Sequence, residues 1–333
     1  MKTGKLSELV LSRSVLKKIK NKRNEVVQGA RVGADAAVMK VPGELVTAVA
    51  CSGSFGFLGQ SFQEQESSLA RELISPELTA IHAVNSVAAE GGKPFALQIA
   101  MILPENMEEP LIKKVMDAFA NVAERLDLQI AGGHSEVSSY VTSPVYSVTA
   151  YGYRREWQHN MAKENVWGQD IVMTKAMGLE GTGLMAAFGK NRLEKRFSKA
   201  YVEAAMVSTE ELEVVSEAQT ATDYGVTCMH DLSETGVFGG LWELGEKLHM
   251  GLEVSLTQIP VRQETIELSE YLAVNPFLMP SAGSMLIVTA DGAGLVKVLE
   301  EKGIDAAVIG KMTQGNDKVV VHHEERRFLE QPR

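Results

Sequence analysis

Residues 75–103, SPELTAIHAVNSVAAEGGKPFALQIAMIL, carry a helix, a break and a strand in one continuous run. Ser75 suits a helix N-cap and Pro76 the first helical position, where the amide hydrogen that proline lacks would have no partner anyway. A helix is therefore expected over Ser75–Glu90. Gly91-Gly92-Lys93-Pro94 ends it, and Phe95–Leu103 reads as the strand that follows. A full-length helix feeding directly into a strand points to a mixed architecture of helices packed on sheets.

The same alternation extends both ways. Upstream, Leu45–Ala50 reads as a strand and Leu6–Ile19 as a helix. The basic cluster Lys17, Lys18, Lys20, Lys22 and Arg23 reads as the solvated end of that helix. Downstream, Pro110–Leu126 is an amphipathic helix, Leu128–Ala131 a buried strand and Val145–Tyr153 another strand. Arg154–Gly168 is polar and aperiodic, the best linker in the chain. A second unit opens with the strand Asp170–Thr174. Helices are expected at Thr182–Phe188, over Ser198–Tyr224 with a break near Ser208, and at Gly236–Leu248. Strands at Leu252–Ser255, Ser284–Thr289, Ala306–Ile309 and Val319–Val321 complete it. Two α+β domains follow, over 1–160 and 161–333.

Composition narrows the function classes. Of 333 residues, 45% are hydrophobic and 23% charged, which is globular rather than disordered. Thirty-three basic against 43 acidic residues give a net charge of −10, the wrong field for tracking nucleic acid or an anionic membrane. Two cysteines, Cys51 and Cys228, cannot build a disulfide framework or a four-cysteine zinc site. No apolar run is long enough to span a bilayer and the N-terminus lacks a signal-like core. A cytoplasmic protein is expected, with neither nucleic acid nor membrane as partner.

Four glycine-bearing loops are candidate sites. Gly33-Ala34-Asp35-Ala36-Ala37-Val38 puts a carboxylate beside a permissive backbone position, suited to a magnesium–phosphate unit, although Gly-x-Asp is also an ordinary turn. Ile130–Glu136 runs from a strand into Gly132-Gly133, whose amides can form an anion nest, with a tight turn as the plain alternative. Met229–Gly236 (MHDLSETG) and Met177–Gly183 (MGLEGTG) each lead into a helix, where capping is a sufficient explanation and phosphate binding an added one. None is a Walker A loop or a dinucleotide fingerprint. His322-His323 lies on a strand pattern that sends the two rings to opposite faces, and Cys51 has no basic neighbour in sequence to activate it.

The succession of these loops resembles the AIR-synthase superfamily, and most nearly the HypE family of hydrogenase maturation factors. Gly33–Val38 is similar to the superfamily's Asp-Asp-Ala-Ala-Val segment, His82–Pro94 to its Asn-Asp helix, and Gly132–Ser135 to its Gly-Gly-acid-Thr loop. Met229–Gly236, Ile259–Thr265 (IPVRQET) and Gly303–Gly310 (GIDAAVIG) resemble HypE segments in the second half. The resemblance implies a two-domain α+β fold. Its N-terminal domains share a β-barrel in a homodimer, and the C-terminal domain is an α/β sandwich. It also implies ATP and Mg²⁺ as cofactors and phosphoryl transfer to an amide-like or phosphate oxygen. In HypE the acceptor is a carbamoylated C-terminal cysteine, which is dehydrated to the thiocyanate that supplies cyanide to iron. A hydrogenase-maturation partner protein is implied as well.

Carried over residue by residue, the resemblance gives Asp35, Asn85, Gly132, Gly133, His134, Asp231 and Glu234 as nucleotide-binding residues, with Asp35 holding any metal. Several family acids are replaced, at Cys51-Ser52, at Ser86, at His134 and at Ala282, which leaves few hard ligands for metal ions. Glu136 and Glu90 are the acids placed to compensate. As the sequence stands at Leu329-Glu330-Gln331-Pro332-Arg333, no cysteine lies within reach of the tail. The second expectation, of a different class, is a catalytically inactive relative serving as a structural or regulatory partner.

Overall fold

Two sheets organise the chain. The computed structural model describes residue 8 and residues 26–28, 31–32, 37–40, 45–52, 68–155 and 166–331. Asp35, and the helix expected at Leu6–Ile19 apart from Glu8, lie outside the described residues. The first sheet contains β1 (Val26–Gln28), β2 (Ala37–Lys40), β3 (Leu45–Ser52), β4 (Lys93–Leu103), β5 (Gln129–Val137) and β6 (Val145–Arg155), in the order β1-β2-β3-β6-β4-β5. All neighbours are antiparallel except β4 and β5. The connection between those two contains helix α2 (Glu109–Arg125), the kind of crossover that a parallel pair requires.

Strand β4 shows how sequence sets burial. Leu97, Ile99, Met101 and Leu103 are buried at period two, while Phe95 and Gln98 face out. Ala96 and Leu97 are both buried beside a β4 bulge, where Phe95 is the extra residue as the register with β6 shifts between Pro94 and Ala96. Helix α1 (Ser68–Ala89) and α2 cover the buried face. On α2, Val115, Phe119 and Val122 point inward, and Phe119 meets Tyr146 edge to face at 5.7 Å.

Two expectations in this half are corrected. Helix α1 starts at Ser68, not at Ser75, and Pro76 is internal. Proline withholds one hydrogen bond from the preceding turn. The helix runs through it because Leu78, Ala80, Ile81, Ala83, Val84 and Val87 are buried around the helix, so packing outweighs the missing bond. Likewise the strand expected at Leu128–Ala131 does not end in a Gly-Gly turn. Strand β5 runs straight through Gly132-Gly133-His134 to Val137. Glycine is required at 133 for another reason: a Cβ there would lie 1.8 Å from the Ile99 carbonyl oxygen of β4.

The second sheet has the order β13-β12-β9-β11-β7-β10-β8. Its strands are β7 (Asp170–Thr174), β8 (Cys228–Asp231), β9 (Gly251–Ser255), β10 (Met285–Thr289), β11 (Ala306–Thr313), β12 (Lys318–His322) and β13 (Glu325–Phe328). Its helices are α3 (Leu179–Phe188), α4 (Lys190–Leu193), α5 (Lys199–Ala204), α6 (Val215–Tyr224), α7 (Gly236–Leu248), α8 (Gln263–Tyr271) and α9 (Gly292–Glu301). The run expected as one broken helix over Ser198–Tyr224 is α5 and α6, separated by turns over 205–214. Helices α8 and α9 and strand β13 were not anticipated.

Central strands β7 and β10 are apolar on both faces because both faces are covered. Ile171, Met173, Leu286 and Val288 pack with Val237, Leu241 and Leu244 of α7, and Val172, Met285 and Ile287 with α6 and α9. The two halves meet through α1 and α3. Helix α3 is apolar all round and buried, and its Leu179, Leu184 and Phe188 join the core beneath the first sheet. The result is a two-domain mixed α/β fold with one continuous junction. Among the described residues no helix is long and apolar enough to cross a membrane.

Candidate functional site

Buried charged side chains meet at the junction. Helix α1 presents His82 and Ser86, four residues apart and hence on one face. Opposite them stand Glu180 in the first turn of α3, Asp231 at the end of β8, and Glu234 in the turn before α7. His82 Nε2 lies 3.1 Å from Glu180 Oε1, with side-chain exposures of only 10% and 1%. The Ala282 amide donates to Glu180 Oε2 at 3.4 Å, and the Ser86 hydroxyl, with its one proton, faces both the His82 carbonyl oxygen at 3.0 Å and Asp231 Oδ2 at 3.2 Å.

Burial by itself would lower the His82 pKa. The Glu180 carboxylate, by charge and hydrogen bond, outweighs it, helped by Glu234 and Asp231, and the pKa is raised. The junction carboxylates thus favour the proton on His82. Glu180 also stands at the N-terminal end of α3, where the helix dipole favours negative charge. A carboxylate in an otherwise apolar helix needs such compensation, because burying a lone charge is prohibitive.

Asn85, the next position round on α1, faces elsewhere. Its side-chain amide donates to the Leu212 carbonyl at 2.8 Å, and its carbonyl accepts from the Val214 amide at 3.1 Å. Both ends of the amide are thus used to fasten the 212–214 segment to the first domain. Lys175 fastens the same segment from the second domain, donating to the carbonyls of Glu211 at 2.9 Å and Glu213 at 2.7 Å and pairing with Glu217 at 2.6 Å.

The remaining expected residues are placed as follows. Gly132, Gly133 and His134 lie on β5, an exposed edge strand, where His134 pairs with Glu136 at 2.9 Å. Cys51 and Ser52 end β3. Glu90 is buried at the end of α1 between Lys247, at 2.9 Å, and Arg154, at 3.7 Å, so its charge is spent within the protein. His322 and His323 do not diverge: their ring centroids are 4.4 Å apart, because His323 turns the chain into β13 with a positive φ of 54°.

Of the sequence-derived candidates, Asp231 and Glu234 are brought together, with Ser86 beside them. His82 and Glu180 were missed. Their available signals were a histidine among the buried apolar residues Ile81, Ala83 and Val84 of α1 and a single acid in LEGTGLMAAF; each of these implies a buried partner without naming it. Glu180 also stands against the backbone of Ala282, where the resemblance led one to expect a glutamate, so an acid from another element occupies that neighbourhood.

The acids described here do not fit a magnesium site. Glu180 is committed to His82 and the Ala282 amide, and Asp231 receives Ser86. Among the described residues no three His, Cys, Asp or Glu side chains are grouped to hold a metal ion.

A two-domain molecule with this pair of sheets and a charged junction is an AIR synthase fold, and the family models agree. The AIR synthase related protein N-terminal domain matches residues 33–153 and the C-terminal domain residues 167–323, so the chain belongs to this family. Within it the chain is close to the HypE proteins. It is 24% identical over 240 residues to carbamoyl dehydratase HypE of Rhodobacter capsulatus, covering 68% of this chain and 66%, just under two thirds, of that protein. Its fold matches HypE in a HypE–HypF complex with a TM-score of 0.73 at 15% identity, covering 97% of this chain and 99% of that one. HypE in complex with ATP matches with a TM-score of 0.64 at 16% identity over 99% and 95% of the two chains.

Proposed function

We propose that this chain is a hydrogenase-maturation protein of the HypE type that binds a nucleotide or another phosphorylated small molecule at the domain junction. The observation that carries this reading is the meeting of Asp231 and Glu234 from the second domain with His82 and Ser86 from the first. Asp231 and Glu234 would accept hydrogen bonds from ligand hydroxyl or amino groups. Asp35 would hold any metal that accompanies the phosphates, and the Gly132-Gly133 amides and His134 would serve the phosphate end. The match to HypE in complex with ATP supports the nucleotide, and the HypE–HypF complex supports a maturation partner protein. Phosphoryl transfer to an acceptor is part of this reading. The comparisons favour it over an inactive structural partner.

Calorimetric titration with ATP tests it. Binding in the micromolar range, about −8 kcal/mol, is expected, with the affinity at least tenfold weaker in Glu234→Gln. No heat with ATP, with or without Mg²⁺, would sink the nucleotide reading.

The proposal includes a homodimer through the first domain. One face of the first sheet is left outside the α1–α2 layer. Phe95 and Tyr153 sit there, 45% and 38% exposed with rings 6.1 Å apart, and β5 offers an open edge. Light scattering on the purified protein should give twice the 36.2 kDa chain mass; a monomer at all concentrations would overturn this part.

A further inference from the structure

The second sheet ends on one side in β8, which carries Asp231, and on the other in the β12–β13 hairpin. Against that hairpin lies a cavity of about 430 Å³ that shares no residue with the junction group. Its floor is apolar, formed by Met177, Ile259 and Val320, all buried. Phe277 makes a side wall, its ring stacked on Phe238 at 4.7 Å, and Val261, 39% exposed, stands at the rim. The remaining wall is polar. Val320 pairs with Arg327 and His322 with Glu325 across the hairpin, so these four side chains share one face. Arg327 Nη2 donates to Glu325 Oε2 at 2.6 Å, and the two side chains are 73% and 65% exposed. That bond uses one of the five guanidinium N–H groups. The Thr257 hydroxyl, also at the cavity, shares a hydrogen bond with Ser255 at 2.9 Å.

We propose that this cavity binds a small monocarboxylic acid, its apolar body on Met177, Ile259 and Phe277 and its carboxylate on Arg327 and His322. An apolar cavity of this size with a few polar groups at its mouth is the common form of a small-molecule site. The body gains by leaving water, while the head group stays wet beside the exposed Arg327 and escapes the cost of an enclosed charge. A guanidinium is a planar donor fork that matches a carboxylate, and Glu325 fixes its orientation from one side. The ring of His322 supplies a further donor on the same face. The site goes beyond the nucleotide reading and stands whether or not a nucleotide binds at the junction.

Calorimetric titration of the full chain with 4-phenylbutanoate tests the proposal. Two controls separate its parts: 4-phenylbutylamine has the same apolar body with the opposite charge, and acetate has the charge without the body. Saturable one-site binding with a Kd of about 1 mM or below is expected for an acid of this size. The amine and acetate should each bind at least about tenfold more weakly, the order of a charged hydrogen bond or a buried apolar group. Arg327→Gln removes the donor fork at an exposed position, where the fold is undisturbed, and should weaken the acid by about tenfold. Val261→Trp narrows the mouth and should weaken the acid as well, with an unshifted melting curve showing that the protein is folded. No saturable binding of 4-phenylbutanoate up to about 10 mM would overturn the proposal. So would an amine or acetate that binds as tightly as the acid, or an Arg327→Gln protein that binds the acid unchanged. The titrations contain no nucleotide, so failure here is distinct from failure of the junction site.

Discussion

His82 and Glu180 are 3.1 Å apart and almost wholly buried, so the protonation of one fixes the energy of the other. The imidazole pKa is raised above its ordinary 6.5, burial being outweighed by Glu180 and then by Glu234 and Asp231. The folded protein thus holds the proton more tightly than the unfolded chain. The stability this contributes is fully present below pH 6.5 and is lost as pH rises through the folded-state pKa. Melting temperature should therefore decline above pH 6.5, and His82→Gln, which does not titrate, should have a flatter profile over the same range. Parallel profiles for the two proteins would show that His82 does not carry the effect. At this scale Asp231 and Glu234 were legible, because an acid-bearing loop before a helix has a local signature. The partners were not. A histidine in HAVNS and an acid in LEGTGL have no mutual spacing in sequence, and only the fold brings them together. Asn85 was legible as a residue of note, but its contacts are with the backbone at 212 and 214, which no local pattern predicts.

Elements were read best where burial is one-sided. Helix α2 and strand β4 have one wet face, and their periodicities of 3.6 and 2 appear directly in the sequence. From Pro76 onward helix α1 is buried at nearly every position, so no one-sided periodicity marks it, and the Ser-Pro pair supplied a false start. Strand β5 failed for the opposite reason. It is exposed along most of its length, and paired glycines without an apolar alternation look like a turn. The demand for glycine at 133 comes instead from the Ile99 carbonyl of the neighbouring strand. Helix α3 combines both lessons. Its uniform apolarity announces burial, whereas its single acid announces a partner across the junction. Helices α8 and α9 are short and carry modest apolar stripes, too little for a sequence pattern to separate from the loops around them.

At the scale of the whole molecule the cores of the two halves interlock. Leu179, Leu184, Phe188 and Leu212, from the second half of the chain, pack in the same cluster as Leu78, Ile81, Leu97 and Phe119 from the first. In return Ala88 and Ala89 of α1 pack with Ala218, Met285 and Leu295. Charges tie the halves as well: Glu90 is shared between Arg154 and Lys247, and Arg125 pairs with Glu213. Unfolding either half alone would expose apolar surface of the other and strand buried charges, each a cost of several kcal/mol. The chain should therefore melt as one cooperative unit although it has two domains, with a calorimetric enthalpy equal to the van't Hoff enthalpy. Leu179→Ala, at the centre of the junction, should lower stability by about 2–5 kcal/mol and displace that single transition as a whole. Two resolved transitions, only one of them moved by Leu179→Ala, would mean that the shared core does not couple the domains.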